Sequence, residues 1–360
     1  MTPVELTVVV PTYNERDNIE PLVVALAAHL TGLAWEVVFV DDDSPDGTAA
    51  RVRELAQRLP MVRCVHRVGR RGLSTAVIEG FLASTAPYVA VMDGDLQHDP
   101  ALLPRMLHEL RGGTLDVVVG SRHTDGGGLG DWTPSRTRMS ATATRLARVV
   151  VTADLTDPMS GYFMMTRSAF DGAVRRLSGQ GFKILLDLFA STPTPFRFKE
   201  LGFTFRPRVS GESKLDSLVV WEYVLLLIDK LIGRRVPVRF MLFCLVGTIG
   251  VGVHLLALRV ALAFLGFSAA QSVATVVAMT SNFFANNVLT YRDRRLRGRR
   301  LITGLLSFYL VCSVGAIANV GVASAVFQRD YGWWRAGLAG AALGAVWNYG
   351  VSSVLTWSRR

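Results

Sequence analysis

"YVAVMDGDLQHDP", residues 88–100, decides how the rest of the chain is read. Residues 88–92 are almost wholly apolar and too few for a helix, which fits a strand buried on both faces. The run stops at two aspartates, Asp93 and Asp95, with only Gly94 between them, and Leu96, Gln97 and His98 follow. Two carboxylates side by side at the end of a buried strand repel each other and call for a cation. A hard divalent ion with oxygen ligands answers that need: Mg2+ or Mn2+ keeps part of its water shell and binds substrate phosphates. Such an ion would clamp a diphosphate and stabilise it as a leaving group. Gln97 offers an amide oxygen, whereas His98 has no partner at metal-ligand spacing and reads as a non-ligand. The competing reading is a polar turn, with Asp99 capping a helix that starts at Pro100.

Four more runs of the same kind surround this one: residues 5–10, 36–40, 62–66 and 116–120. Helical patterns fall between the strands at about 17–31, 46–58, 72–85 and 100–112. This βαβα order predicts an α/β fold with a mainly parallel sheet covered by helices. Polar clusters follow four of the strands: "PTYNE" (11–15), "DDDSPDG" (41–47), "DGDLQHD" (93–99) and "GSR" (120–122). Ligands of open α/β sheets bind outside the carboxyl ends of strands, so four such clusters point to one shared site.

The second half of the chain is different. Of 360 residues, 50% are hydrophobic and mean hydropathy is +0.32, which calls for a membrane portion. Four apolar segments, roughly 239–264, 269–291, 302–327 and 336–357, are each long enough to span a bilayer. After Lys230 there are fourteen arginines and two acidic residues, Asp293 and Asp330, a net +12, while residues 1–230 hold 25 basic and 27 acidic side chains. The basic excess therefore belongs to membrane topology and does not mark nucleic-acid binding. Arg234, Arg235 and Arg239, the run "RDRRLRGRR" (292–300), and Arg359 with Arg360 fall on one side of a four-span arrangement. The positive-inside rule makes that side cytoplasmic, together with the N-terminal domain and both termini. "MTPVELTVVV" (1–10) lacks the basic region of a signal peptide and reads as a strand. Cys64, Cys244 and Cys312 are too scattered for a disulfide framework or a cysteine metal site. Residues 133–152 and 216–232 read either as amphipathic helices lying on a membrane surface or as ordinary packed helices.

An internal repeat runs through the apolar half. "SNFFANNVLTYR" (281–292) aligns with "WNYGVSSVLTWS" (347–358), matching Asn282 to Asn348. "CLVGTIGVGVH" (244–254) aligns more weakly with "YLVCSVGAIAN" (309–319). The four spans thus read as a duplicated helix pair.

With "VVVPTYNERDNI" (8–19) and "VVFVDDDSPDGTA" (37–49) preceding the D-G-D strand, the order resembles the nucleotide-sugar-binding half of inverting family 2 glycosyltransferases. The resemblance continues through "RRGLSTAVIEGF" (70–81), "GSR" (120–122), "DPMSGYFMMTR" (157–167), "GFKILLDL" (181–188) and "RPRVSGESKL" (206–215). Together these look like the dolichol-phosphate mannose synthase branch, and the membrane part is similar to GtrA-like domains. The resemblance implies a Rossmann-like GT-A catalytic domain over 1–215, an interfacial amphipathic linker over 216–235, and a four-helix transmembrane domain over 236–360.

It also implies roles at matching positions. Pro11, Tyr13 and Glu15 would shape the nucleoside pocket, completed by Val40 and Asp42. Asp93, Gly94, Asp95, Leu96 and Gln97 match the metal and diphosphate segment, although many members carry alanine where this chain has Gly94. Arg122, Arg208 and Lys214 match basic residues near the phosphates, and Arg136 and Ser140 match groups that hold the lipid phosphate. Asp93, Asp95, Arg122 and Arg208 would form the catalytic group. The implied reaction transfers mannose from GDP-mannose to a polyprenyl (dolichyl) phosphate with inversion, at the bilayer surface and with Mg2+ or Mn2+. A UDP-glucose-dependent transferase and a lipid-linked-sugar translocator are the alternatives; a processive polysaccharide synthase lacks its Q-x-x-R-W signature here. Individual residues also have plainer readings. Asp43 and Asp46 would shape a turn and cap a helix. Lys183 and Asp187 would form an ion pair four apart on a helix. Asp157 before Pro158 would form a turn. Arg259, on a span with His254, would snorkel or line a polar path.

Overall fold

A computed structural model describes residues 3–128, 130, 134–151, 153–179, 181–206, 217–232, 237–327 and 333–358. The chain forms two compact units, Met1–Leu231 and Ile232–Arg360.

In the first unit the apolar runs become β1 (Leu6–Thr12), β2 (Trp35–Asp41), β3 (Val62–His66), β4 (Tyr88–Val91) and β5 (Val117–Ser121). Two further strands, β6 (Phe163–Thr166) and β7 (Phe198–Gly202), complete one sheet in the order β3-β2-β1-β4-β6-β5-β7. All pairings are parallel except those of β6, which runs antiparallel between β4 and β5.

The strands alternate between two cores, as a period of two requires. Val8, Val10, Val37 and Phe39 face one core, with Val52 of α2 (Thr48–Arg58), Leu22 and Leu26 of α1 (Ile19–His29), and Met106 of α4 (Leu102–Arg111). Val9, Val38 and Val40 face the other, with α3 (Leu73–Leu82), α6 (Arg167–Ala173), α7 (Ile184–Ser191) and α8 (Ser217–Ile232). At Gly80 of α3 a β-carbon would come within 2.4 Å of Val9, so glycine permits the close helix–sheet approach.

Residues 217–232 form α8, which buries Tyr223, Leu226 and Leu227 in the second core. Lys183 lies ahead of α7, not on it, and Asp187 pairs with Lys230 of α8 at 2.5 Å instead. Asp187 also accepts hydrogen bonds from the Ser178 and Gly179 backbones and from the Ser178 and Ser191 hydroxyls. The helix expected from Pro100 begins at Leu102; Asp99 shapes the turn before it by accepting from the Ala101 N–H at 3.1 Å. The 133–152 segment contains α5 (Pro134–Ala147), held to α8 by the Tyr223 hydroxyl donating to the Ala143 carbonyl at 2.6 Å.

The second unit contains α9 (Val238–Ala261), α10 (Phe267–Ala285), α11 (Arg299–Phe327) and α12 (Trp333–Leu355), with one π-helical turn at Asn286–Thr290. Among the described residues, Val238–Ala261 and Arg299–Ile317 are long and apolar enough to cross a membrane. Helices α9 and α10 pack as one pair, α11 and α12 as another. Each pair has the same notch. A β-carbon on Gly250 of α9 would fall 2.2 Å from the Asn282 Oδ1 of α10, and one on Gly315 of α11 would fall 2.2 Å from the Asn348 Oδ1 of α12. These glycines and asparagines are the residues aligned in the repeat, so the duplication has a packing basis: glycine removes the side chain where the neighbouring asparagine lies.

Candidate active site

Returning from β3 to β4, the chain crosses to the far side of β1, which makes β1/β4 the topological switch point of the sheet. The clusters Pro11–Glu15 and Asp93–Gln97 leave the sheet there. Their proximity is direct: a β-carbon on Gly94 would lie 3.4 Å from Thr12 and Val10 side chains and 3.7 Å from Glu15. Asn14, Asp43 and Leu96 are the three non-glycine residues with positive φ among the described residues. They sit in the loops after β1, β2 and β4. Asparagine and aspartate adopt this conformation readily; Leu96, at φ 62°, is strained and turns the D-G-D-L-Q segment back on itself.

Asp95 is buried, and its Oδ1 accepts the Gln97 N–H at 3.2 Å. Gln97 donates its Nε2 to the Arg206 carbonyl at 2.9 Å, which leaves its amide oxygen as the acceptor end. Asp93 donates its backbone N–H to His98 Nδ1 at 3.0 Å, which places the imidazole proton on Nε2, 3.8 Å from Asp93 Oδ2. His98 stacks on Tyr162 at 4.8 Å, and burial lowers its pKa, keeping the ring neutral. Desolvation raises the pKa of Asp93; the Asp95 charge adds to this, while His98, Lys183 and Arg122 oppose it. The antiparallel strand β6 enters at the same edge. Its leading Gly161 lies over Asp93, with a β-carbon position 3.4 Å from both carboxylate oxygens.

The β2 loop is tightly built. Asp41 accepts from Ser44 N–H and hydroxyl at 3.0 and 2.6 Å. Asp42 accepts from Arg67 at 2.6 Å and from the Gly72 N–H at 2.7 Å, tying the loop before α3 to β2; desolvation nevertheless leaves its pKa raised. Asp43 accepts from the Gly69 N–H, the main cause of its lowered pKa, and contacts His66 at 3.2 Å. Asp46 accepts from Thr48 N–H and hydroxyl and from the Arg16 N–H. Val40 is buried beneath this loop. Tyr13 packs its ring against Arg71, 4.2 Å from the guanidinium carbon, and Glu15 accepts from Asn18 at 2.7 Å.

Arg122 follows β5, and here sequence reasoning missed a partner. Asp157, fully buried, accepts from Arg122 Nε and Nη2 at 2.7 Å each and from its backbone N–H at 3.2 Å. Burial works against the Asp157 charge, but the Arg122 guanidinium outweighs it and holds the carboxyl below its usual range. Glu200 of β7 supports the loop by accepting from Thr156 and from the Asp157 N–H. The only local signal for this pair was a charged residue in an otherwise uncharged "DPMSGYFMM" (157–165).

Arg136 lies in the first turn of α5 and Ser140 one turn later. No hydrogen bond joins Ser140 to the Asp93–Gln97 turn among the described residues. Arg208 and Lys214 lie outside the described residues.

The chain is similar to known proteins over both of its units. Residues 7–172 match the family described as Glycosyl transferase family 2, and residues 242–357 match GtrA/DPMS, transmembrane domain. A dolichol-phosphate mannosyltransferase of Pyrococcus furiosus is 31% identical over 360 residues, covering 98% of this chain and 99% of its own. One from Saccharomyces cerevisiae is 37% identical over 61% of this chain and 85% of its own. The solved structure of Mycobacterium tuberculosis glucosyl-3-phosphoglycerate synthase with Mn2+, uridine diphosphate and phosphoglyceric acid is more distant. It shares 19% identity at a TM-score of 0.46, covering 64% of this chain and 78% of that one. A membrane-associated glycosyltransferase is thus defined at both ends of the sequence, and the chain belongs to the dolichol-phosphate mannosyltransferase family.

Proposed function

We propose that the protein transfers mannose from GDP-mannose to a polyprenyl (dolichyl) phosphate, giving the lipid-linked sugar and GDP with inversion at the anomeric carbon. The observation that carries this reading is the end-to-end match to a relative named dolichol-phosphate mannosyltransferase. The convergence of Pro11–Glu15 and Asp93–Gln97 at the β1/β4 switch point supports it.

The donor set suits Mg2+ or Mn2+. Asp93, Asp95 and the Gln97 amide oxygen are the hard oxygen donors on one turn that would hold the ion, leaving room for it to bind diphosphate oxygens and water. The raised pKa of Asp93 beside Asp95 is the cost that a cation relieves. When bound, the ion neutralises the leaving diphosphate.

The remaining work is positioning. Tyr13 and Glu15 border the nucleoside, while Asp42, through Arg67 and Gly72, fixes the loop beside it. Val40 underlies that pocket. Gly94 keeps the turn close to β1, and Leu96 sets its reversal. Asp157 aims the Arg122 guanidinium, which with Arg136 and Ser140 grips the acceptor phosphate. Arg208 and Lys214 join the donor phosphates. An acceptor phosphate oxygen is already anionic near neutral pH and attacks in line without a general base. His98 fits this scheme, being neutral with Nδ1 already accepting the Asp93 N–H. The apolar half crosses the bilayer as four spans, with the arginines of 292–300 and both termini cytoplasmic.

The test is transfer from GDP-mannose to a polyprenyl phosphate with and without EDTA. Activity should vanish with EDTA, return on adding Mn2+ or Mg2+, and stay absent in Asp95→Ala. Undiminished transfer in EDTA removes the metal from the account, and normal turnover of the variant removes the site.

A further inference from the structure

The end of the α10–α11 connection holds a pocket that the transferase chemistry does not use. It has a volume of about 330 Å3 and is lined by Phe284, Val288 and Leu301 together with Arg295 and Arg297. Its construction starts at the π-helical turn, Asn286–Thr290, whose extra residue directs both Asn286 and Asn287 inward, where they are buried. Asn287 then fastens the next loop. Its Oδ1 accepts the Leu296 N–H at 2.8 Å and the Trp357 Nε1–H at 3.1 Å, and its Nδ2 donates to the Leu296 carbonyl at 3.2 Å. Leu296 packs against the cluster of Phe283, Tyr291, Phe308 and Trp357, with Tyr291 and Trp357 stacked at 4.2 Å. Gly298, at φ +55°, makes the reversal into α11. The residues on either side of Leu296 are therefore held by a buried anchor, and both arginines line the pocket.

Its chemistry has two parts. Phe284 and Val288 are 44% and 40% exposed, an apolar wall continuous with the apolar surface of helices that carry a transmembrane-domain match. Arg295 and Arg297, both exposed, form the polar end. Residues 292–300 carry six arginines against Asp293, so the local field favours an anion. Cations above an exposed apolar wall, at the end of a hydrophobic helix, match a lipid whose phosphate meets the guanidinium groups while its chains follow the helix.

The geometry points to a binding site for the phosphate headgroup of an anionic membrane lipid, formed by Arg295 and Arg297 over the Phe284–Val288 wall. It is independent of sugar transfer and is read without an activity assay. Full-length protein in phosphatidylcholine nanodiscs is titrated with labelled phosphatidylglycerol. Two guanidinium groups in direct hydrogen-bonded contact with the phosphate make the site worth roughly a hundredfold or more in affinity, so Arg295→Gln with Arg297→Gln loses at least about that factor. Arg292→Gln with Arg299→Gln removes the same charge outside the pocket and loses only the general attraction to anionic lipid, about thirtyfold at most. Leu301→Trp fills the cavity with every charge retained and also loses the lipid, which covers the case of a poorly folded arginine variant. Equal losses in the two arginine pairs, or unchanged binding in Leu301→Trp, overturn the site. Displacement of the lipid by equimolar inorganic phosphate overturns the lipid assignment.

Discussion

Replacing Asp157 by asparagine keeps the side chain's shape and removes the charge that Arg122 faces. The pair is bidentate, with two 2.7 Å contacts, and Asp157 is fully buried while the Arg122 side chain is 10% exposed, so water cannot take its place. Asparagine can accept from one guanidinium nitrogen but turns an N–H toward the other. A charged hydrogen bond is worth about 1.5–3 kcal/mol, and breaking a buried pair from one side costs about 3–5 kcal/mol. Taking about 3 kcal/mol, a unit of this size should melt about 6–12 °C lower. Differential scanning calorimetry of wild type and Asp157→Asn reads this directly. The same substitution releases the guanidinium, so KM for the polyprenyl phosphate should rise more than KM for the donor. The pH dependence has a defined sign. The folded pKa of Asp157 is depressed below the unfolded value of about 3.9, so the pair's contribution is complete above that value and drains away as pH falls through the folded pKa. The acid side of the stability curve should therefore flatten in the variant. A melting point within about 1 °C of wild type, with both KM values unchanged, refutes the clamp.

Three other perturbations follow from the packing. Gly94→Ala should keep turnover within about twofold and stability within about 0.5 kcal/mol, because its β-carbon meets ordinary contacts at 3.4–3.7 Å; kinetics and a melt check both. Asp187→Ala strands Lys230 at a buried site and should cost about 3 kcal/mol, and adding Lys230→Met should recover part of that loss in denaturant titration. Gly250→Val and Gly315→Val each drive a side chain into the facing asparagine. They should lower the detergent-solubilised melting point to similar extents, whereas a large asymmetry would deny the two notches equivalent roles.

How far the fold can be read from residue order depends on where each element finds its partners. β1, β2, β4 and β5 are runs such as "LTVVV" and "DVVVG", and burial on both faces makes them self-announcing. β6 is four residues inserted antiparallel between two earlier strands, and no local feature of "FMMT" specifies that neighbour. β7 carries Lys199 and Glu200 at the sheet edge, so its hydrophobic signal is broken. The same divide runs through the site. The D-G-D-L-Q turn is contiguous and was visible at once. The Arg122–Asp157 pair spans 35 residues and the Gln97–Arg206 bond 109, and only folding brings such residues together. Spacing misled at Lys183 and Asp187, since a helix from elsewhere supplied the cation. The membrane repeat is legible as an alignment, but its packing basis lies in three dimensions, where Gly250 and Gly315 face Asn282 and Asn348.

The central claim is the identity of the reaction, and one measurement addresses it: the purified chain is given a polyprenyl phosphate and Mn2+ with radiolabelled GDP-mannose or UDP-glucose in parallel, and the organic-phase product is separated and counted. The account predicts label in a polyprenyl-phosphate mannose from the first donor only, suppressed by excess GDP and not by excess UDP. Label from UDP-glucose alone, or no lipid-linked product from either donor, contradicts it.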